Sequence, residues 1–404
     1  MASGGREMSC NVMGDDHMIY EDARWAPIEP WIRAIRRRIH QHPELGLETP
    51  ETRVVVETAL DEWGIAHERL IRHGVKAILG PVGPTAILLR ADMDALPIKE
   101  DTGLSYASAY GGKMHACGHD AHTAMLLGAA RYLKLREAEL RHPVVLMFQP
   151  GEEGPGGALP MIEAGVLADP PVARAAMVHV SSELPVGQVA IRAGASMASC
   201  DDFRLVVRGK GGHGSTPHRG VDAIVVSAAL IQFLQTWVSR ERDPLDPVVI
   251  SIGTIHGGDR ENVIADRVEM TGTIRTLNPA TREQLRLQFG PRLRELAALY
   301  GARVEVQVDA GYPVLMADHE WTRQVGAILE EHIALGAVVE RAHPVMGVED
   351  FAYVAERVPG TNVEIGVVGD GFHSGLHSSG FVLDERALKM GAVVYAALAL
   401  HAEF

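Results

Sequence analysis

Short runs of uninterrupted apolar residues alternate along the chain with longer stretches in which apolar positions recur at helical spacing. The runs at 86–90, 144–148, 175–180 and 363–368 are too continuous for strands with one wet face. They read as strands buried on both faces, the habit of a parallel sheet. Between them the spacing predicts helices over 28–40, 121–137, 321–335 and 385–400. Another opens at Thr49, an N-cap followed by Pro50, and runs towards Trp63. Such alternation indicates α/β layers. The character changes near Ala193. Strands at 203–207, 248–255, 268–275 and 303–308 and helices at 221–240 and 281–300 follow in the order β-α-β-β-α-β. That is the ferredoxin-like arrangement, its second helix bent at Gly290-Pro291. The expected fold is α/β: a domain with a mixed, mainly parallel sheet covered by helices, built from 26–194 and 312–404. A smaller ferredoxin-like domain is inserted at 195–311, and residues 1–25 are expected to form a flexible tail.

Composition narrows the function more than the fold. The chain has 404 residues, ample for two cores, with 47% hydrophobic and 22% charged residues, as in ordinary globular proteins. A net charge of −14 argues against nucleic acid or an anionic membrane as a partner. No stretch is expected to span a bilayer, and the polar start lacks the apolar core of a signal peptide. Met8, Met13 and Met18 are alternative starts. Cys10, Cys117 and Cys200 are odd in number and far apart, so no disulfide framework is implied and a cytoplasmic location is expected.

One stretch concentrates chemistry. Met114-His115-Ala116-Cys117-Gly118-His119-Asp120-Ala121-His122 places a thiol, three imidazoles and a carboxylate within nine residues. Gly118 allows a bend that lets Cys117 and His119 converge. Alone, such a loop reads as ordinary histidines before a helix. Its company changes that reading. Asp92, Asp94, Glu152, Glu153 and His179 are expected at or just past strand ends, where α/β sheets collect function. With His377 the candidate ligands are Cys117, His119, Glu153, His179 and His377. This mixture suits zinc or a neighbouring first-row metal rather than calcium or magnesium. Five ligands exceed one tetrahedral ion, so a two-metal site with shared ligands is expected. Of the adjacent carboxylates Glu152 and Glu153, one can bind metal while the other, left free, meets the requirement for a general base. An adjacent Glu pair is ordinarily a solvated surface feature. Here the flanking Gln149-Pro150-Gly151 and Gly154-Pro155-Gly156-Gly157 make it a structured loop. His115, His122, His218 and His373 do not all need roles, and His122 and His373 read as structural histidines.

These residues, with Arg90-Ala91-Asp92-Met93-Asp94, Gly209-Lys210-Gly211-Gly212-His213, Asn262-Val263-Ile264, Gly272-Thr273-Ile274-Arg275 and Glu349-Asp350-Phe351, carry a resemblance over nearly the whole chain. The sequence resembles the M20 metallopeptidase family, in its amidohydrolase branch of hippurate, N-acyl-amino-acid and indole-acetyl-amino-acid hydrolases. Three positions depart from the family pattern: Ala265, Cys200 and Ser379. The resemblance implies that Cys117, His119, Glu153, His179 and His377 bind two divalent metals, Zn²⁺ first, with Mn²⁺, Co²⁺ or Ni²⁺ as alternatives. It makes Glu152 the general base and Asp94 an outer-shell residue that orients a ligand. It implies a homodimer, with a tetramer as the alternative, built through the inserted domain. His213 would reach a neighbouring subunit's site to stabilise the oxyanion. Asn262 and Arg275 would sit in the same cleft, Arg275 suiting a substrate carboxylate. The implied reaction is hydrolysis of a small N-acyl amino acid to a carboxylic acid and an amino acid. A dipeptidase or exopeptidase of the same superfamily is the alternative. A catalytically inactive binding protein would predict a lost ligand or base, and none is missing.

Overall fold

The computed structural model describes residues 18–333, 337–369 and 374–404. Its larger sheet has eight strands in the order Ala66–Leu70, Gly74–Leu79, Val144–Gln149, Ala86–Asp92, Val172–Pro185, Gly360–Val368, Val189–Ile191 and Val338–Glu340. The four central strands run parallel, and antiparallel pairs flank them. Every residue of Ala86–Asp92 and Val144–Gln149 is buried, which is what their unbroken apolar runs require. Helices Ile28–Gln41, His119–Leu135 and Ala387–His401 pack together on this sheet.

A second sheet follows the order Val248–Gly257, Arg267–Thr276, Asp201–Arg208 and Arg303–Ala310, antiparallel throughout. Helices Ala223–Glu241 and Pro279–Leu299 cover one face around a separate core that includes Trp237, Phe203 and Phe289. Pro291 sits inside the second helix without ending it, so the expected bend does not divide the element.

Several expectations change. Residues 18–25, expected within a flexible tail, are structured. Residues Ile19–Glu21 and Ala23–Trp25 form two 3₁₀ turns, and Trp25 is buried, stacking on Tyr132 at 4.2 Å with its indole N–H donated to the Ile19 carbonyl at 2.8 Å. An aromatic anchor of that size fixes the segment to the core. His179 is mid-strand, because Val172–Pro185 continues past it beside Gly360–Val368. Its pairing with Ala86–Asp92 ends at Met177, so His179 still lies just beyond that neighbour's reach. The strands Ala66–Leu70 and Gly74–Leu79 have no counterpart in the sequence reading. The first is polar and at an edge, and the second carries Lys76, whose buried stem brings its ammonium 2.6 Å from the Asp169 carbonyl. Finally, Ala223–Glu241 is long and apolar enough by length and composition to cross a membrane. Its Val226, Leu230, Leu234 and Trp237 face the second sheet's core.

Candidate metal centre

Asp92 and Gln149 end adjacent parallel strands and pair with each other, so the loops that follow leave the sheet side by side. The first loop carries Asp94 and the second Glu152 and Glu153. Asp94 ties them together. One of its oxygens accepts from the Glu152 amide at 2.9 Å and the other from the Glu153 amide at 3.1 Å. The first of these oxygens also lies 3.5 Å from His119 Nδ1. Glu152 and Glu153 are thereby set on opposite sides of one carboxylate.

Gly118 caps helix His119–Leu135 at φ 87°, and a Cβ there would fall 2.5 Å from Val180 Cγ2. Only glycine allows that close turn. It brings Cys117 and His119 against the strand that holds His179. Cys117 Sγ lies 3.6 Å from His179 Nε2 and 3.3 Å from His377 Nε2. His377 Nε2 lies 3.1 Å from Glu153 Oε1. His377 adopts φ 60°, unusual for a residue with a side chain, and its amide donates to the Ala116 carbonyl at 2.8 Å. Such backbone cost is typically held at functional sites. A bond between His179 Nδ1 and the Val180 carbonyl, 2.8 Å, fixes the tautomer that leaves Nε2 facing the cluster.

The residues present fit divalent metal. Donor atoms of Cys117, His119 and His179 lie within 4.8 Å of one another, as do those of Cys117, Glu153 and His377, and of His119, Glu152 and Glu153. His119 is fully buried, yet neither ring nitrogen has a close hydrogen-bond partner, an Asp94 oxygen standing 3.5 Å from Nδ1. Buried polar atoms are rarely left so. Titration points the same way. Burial would raise the Cys117 thiol, but His119 and His179 bring it down to about 6. Burial would lower His179, but Cys117 lifts it to about 9. Hydrogen bonds to Cys117 and Glu153 lift His377 to about 10. The cluster draws positive charge to its centre, which dications supply.

Glu152 is buried, with one oxygen 3.9 Å from His119 Nε2. Burial, then Glu349, push its pKa well above the usual carboxylate range, against His119. Behind it Arg90 is wholly buried, bonded to Asp92 (2.7 Å), Gln149 (2.9 Å) and Asp350 (2.9 Å) and paired with Glu349 (3.0 Å). Asp350 in turn accepts from the Gly157 and Ala158 amides, both at 2.9 Å, closing the Glu152 loop. His122 is held between Asp92 (2.6 Å) and the Val180 amide (2.9 Å), a structural position. His115 is buried without ring partners, His218 is exposed, and His373 lies outside the described residues.

A cavity of about 560 Å³ opens over these donors and is lined also by Arg275 and Tyr312. Arg275 donates to the Met346 carbonyl at 2.9 Å and has no carboxylate partner among the described residues. His213 and Asn262 are not brought to this cavity. They are exposed together where the short antiparallel strands Gly212–His213 and Val263–Ile264 pair, and the Gly214 amide donates to the Asn262 carbonyl at 2.8 Å. The sequence reading assigned no role to the Arg90 cluster, although an arginine inside a buried strand requires partners. It also passed over Tyr312, whose hydroxyl donates to the Glu152 carbonyl at 2.8 Å and for which no local pattern exists.

Thiol, imidazole and carboxylate donors gathered at the carboxyl edge of a parallel sheet and under a cavity define a metal-dependent hydrolase. The chain belongs to peptidase family M20/M25/M40, which it matches over residues 88–401. It is 40% identical over 381 residues to thermostable carboxypeptidase 1 of Saccharolobus solfataricus, covering 92% of this chain and 95% of that protein. It is 40% identical over 363 residues to the N-acetyl-L-cysteine deacetylase of Bacillus subtilis, covering 89% and 85%. Among solved structures it is similar to Bacillus subtilis YXEP, described as a dinuclear metal-binding peptidase from the M20 family. That match has a TM-score of 0.82 and 34% identity over 93% of this chain and 98% of that one.

If Asp94 orients His119 and the Glu152–Glu153 loop, Asp94→Asn should weaken metal binding roughly 10- to 100-fold. Competition against a chelator of known affinity measures this. Unchanged affinity would mean that Asp94 only braces the backbone.

Proposed function

We propose that the chain hydrolyses the amide bond of N-acyl-L-amino acids, releasing a carboxylic acid and a free amino acid. One observation carries the reading: a single cavity is lined by Cys117, Glu153, His179 and His377, by Glu152 and by the carboxylate-free Arg275. Carboxypeptidases and N-acyl-amino-acid deacetylases cleave the same bond, between an acyl carbon and the nitrogen of an amino acid with a free carboxylate. Arg275 is a planar fork suited to that carboxylate.

Dications held by Cys117, His119, Glu153, His179 and His377 would supply Lewis acidity, which acidifies water and polarises the acyl carbonyl. Zinc suits this donor set first, and manganese, cobalt and nickel remain compatible. Glu152 takes the proton of the attacking water and later passes it to the leaving nitrogen. Burial raises the affinity of Glu152 for a proton, which favours its taking the proton from water. Arg275 and Asn262 hold the substrate, and His213 of the partner subunit donates to the developing oxyanion. The exposed position of His213 on the second unit suits a role in trans. We read that unit, 195–311, as the dimerisation domain. Strand Val248–Gly257 forms an edge of its sheet and exposes Val249 and Ile255, and the helix Ala223–Glu241 exposes Ile224 and Val225. Such an edge invites pairing with a second copy. Free thiols at Cys117 and Cys200 suit a cytoplasmic setting.

The similarity to a carboxypeptidase favours a second reading in which the acyl group is itself peptidyl. A panel of N-acetyl, N-benzoyl and N-indoleacetyl amino acids and dipeptides, assayed for released amine, separates the two. Glu152→Gln should lower turnover of the best substrate by about 10³-fold while metal content stays at that of the parent. Substantial residual turnover would remove Glu152 from the base role. Mixing inactive Glu152→Gln with inactive His213→Ala should restore activity through hybrid dimers. No recovery after verified subunit exchange would show that each site is complete within one chain.

A further inference from the structure

The two stretches of chain that join the sheets run side by side at one point. The Cys200 amide donates to the Tyr312 carbonyl at 3.0 Å, and a Cβ on Gly311 would fall 2.2 Å from the Cys200 carbonyl oxygen. Asp201, itself buried, accepts from the Gly311 amide at 3.2 Å and from Arg282 at 3.0 and 2.7 Å. Arg282 also donates to the Gly311 carbonyl at 2.8 Å. A bidentate Arg–carboxylate pair of this kind is directionally rigid. It locks the crossover to helix Pro279–Leu299, which belongs to the second sheet.

From this locked point one side chain reaches into the candidate centre. The Tyr312 ring lies over Gly156, where an added Cβ would meet Tyr312 Cε1 at 3.0 Å, and its edge meets Tyr353 at 6.0 Å between centroids. Its hydroxyl donates to the Glu152 carbonyl at 2.8 Å. The loop's other anchors, Asp94 and Asp350, belong to the larger sheet's side of the molecule. Tyr312 is anchored through Cys200 and its neighbour Gly311 to the second sheet. Small displacements matter at this place, because misplacing a reacting group by about 1 Å can cost on the order of 100-fold in rate.

We propose that Tyr312 is a positioning residue through which the geometry of the Cys200–Gly311 crossover sets the placement of Glu152. The consequence for catalysis rests on the reading of Glu152 as the base, whereas the mechanical tie does not. A neutral hydrogen bond of this kind shifts an equilibrium by roughly 2- to 10-fold, which sets the size of the expected effects.

The test is a double-mutant cycle of Tyr312→Phe and Arg282→Lys in the metal-loaded protein. Tyr312→Phe keeps the ring over Gly156 and removes only the hydroxyl. It should lower kcat by roughly 3- to 10-fold with KM within about twofold of the parent. Arg282→Lys should lower kcat several-fold in the parent and add nothing in the Tyr312→Phe background. Hydrogen exchange of the Glu152, Glu153, Gly154, Gly156 and Gly157 amides should rise in each single variant and no further in the double. If Arg282→Lys unfolds the protein, Asp201→Asn takes its place in the cycle. The proposal is overturned if the kcat losses multiply, if the Arg282 change leaves kcat untouched, or if the exchange increments add. Exchange that couples as expected in a protein whose Glu152→Gln variant remains active would instead retire the base assignment and keep the tie.

Discussion

Arg90 is a wholly buried cation, and the carboxyl end of the larger sheet is built around the need to pair it. It bonds Asp92 at the end of its own strand, Gln149 at the end of the next, and the Glu349–Asp350 corner far along the chain. An unpaired buried guanidinium would cost several kcal/mol, so these partners are held in place as firmly as the charge itself. The consequence reaches the loops. Asp350, drawn to Arg90, receives the Gly157 and Ala158 amides, and Asp94, two residues past Asp92, receives those of Glu152 and Glu153. The glycine-rich loop between strand Val144–Gln149 and helix Ala158–Glu163 is thus pinned at both ends.

The same corner contains more buried negative charge than Arg90 neutralises. Burial, opposed by Arg90 and reinforced by Glu349, raises Asp350 to about 7, and Glu152 is driven upward as well. On the cavity side, Cys117 and Glu153 face His119, His179 and His377, the last two holding protons well above the ordinary imidazole range. A dication bound by the same nitrogens would take the place of those protons. The electrostatics of the corner and the unpartnered nitrogens of His119 therefore express one requirement.

Much of this was legible in the chain because the signals are local. Unbroken apolar runs located the central strands, and Cys117-Gly118-His119 announced its own bend. The adjacent carboxylates stood out because glycine and proline flank them. What escaped reading was non-local. Edge strand Ala66–Leu70 is too polar for periodicity to reveal, and Lys76 interrupts its partner while hiding its stem. His179 proved mid-strand because the continuation of Val172–Pro185 depends on Gly360–Val368, nearly two hundred residues later. Tyr312 offered no pattern at all, since its importance lies in which carbonyl its hydroxyl meets. Asn262 was expected in the cleft and His213 at a neighbouring subunit's, and both lie exposed on the two short paired strands Gly212–His213 and Val263–Ile264.

The central claim is that Cys117 and the imidazoles around it form one half of a two-metal hydrolytic centre. X-ray absorption at the zinc edge of the zinc-reconstituted protein addresses it directly. The account predicts a sulfur scatterer at about 2.3 Å beside nitrogen and oxygen scatterers at about 2.0–2.2 Å, with the sulfur shell absent in Cys117→Ser. A shell of nitrogen and oxygen alone, unchanged by that substitution, would contradict it.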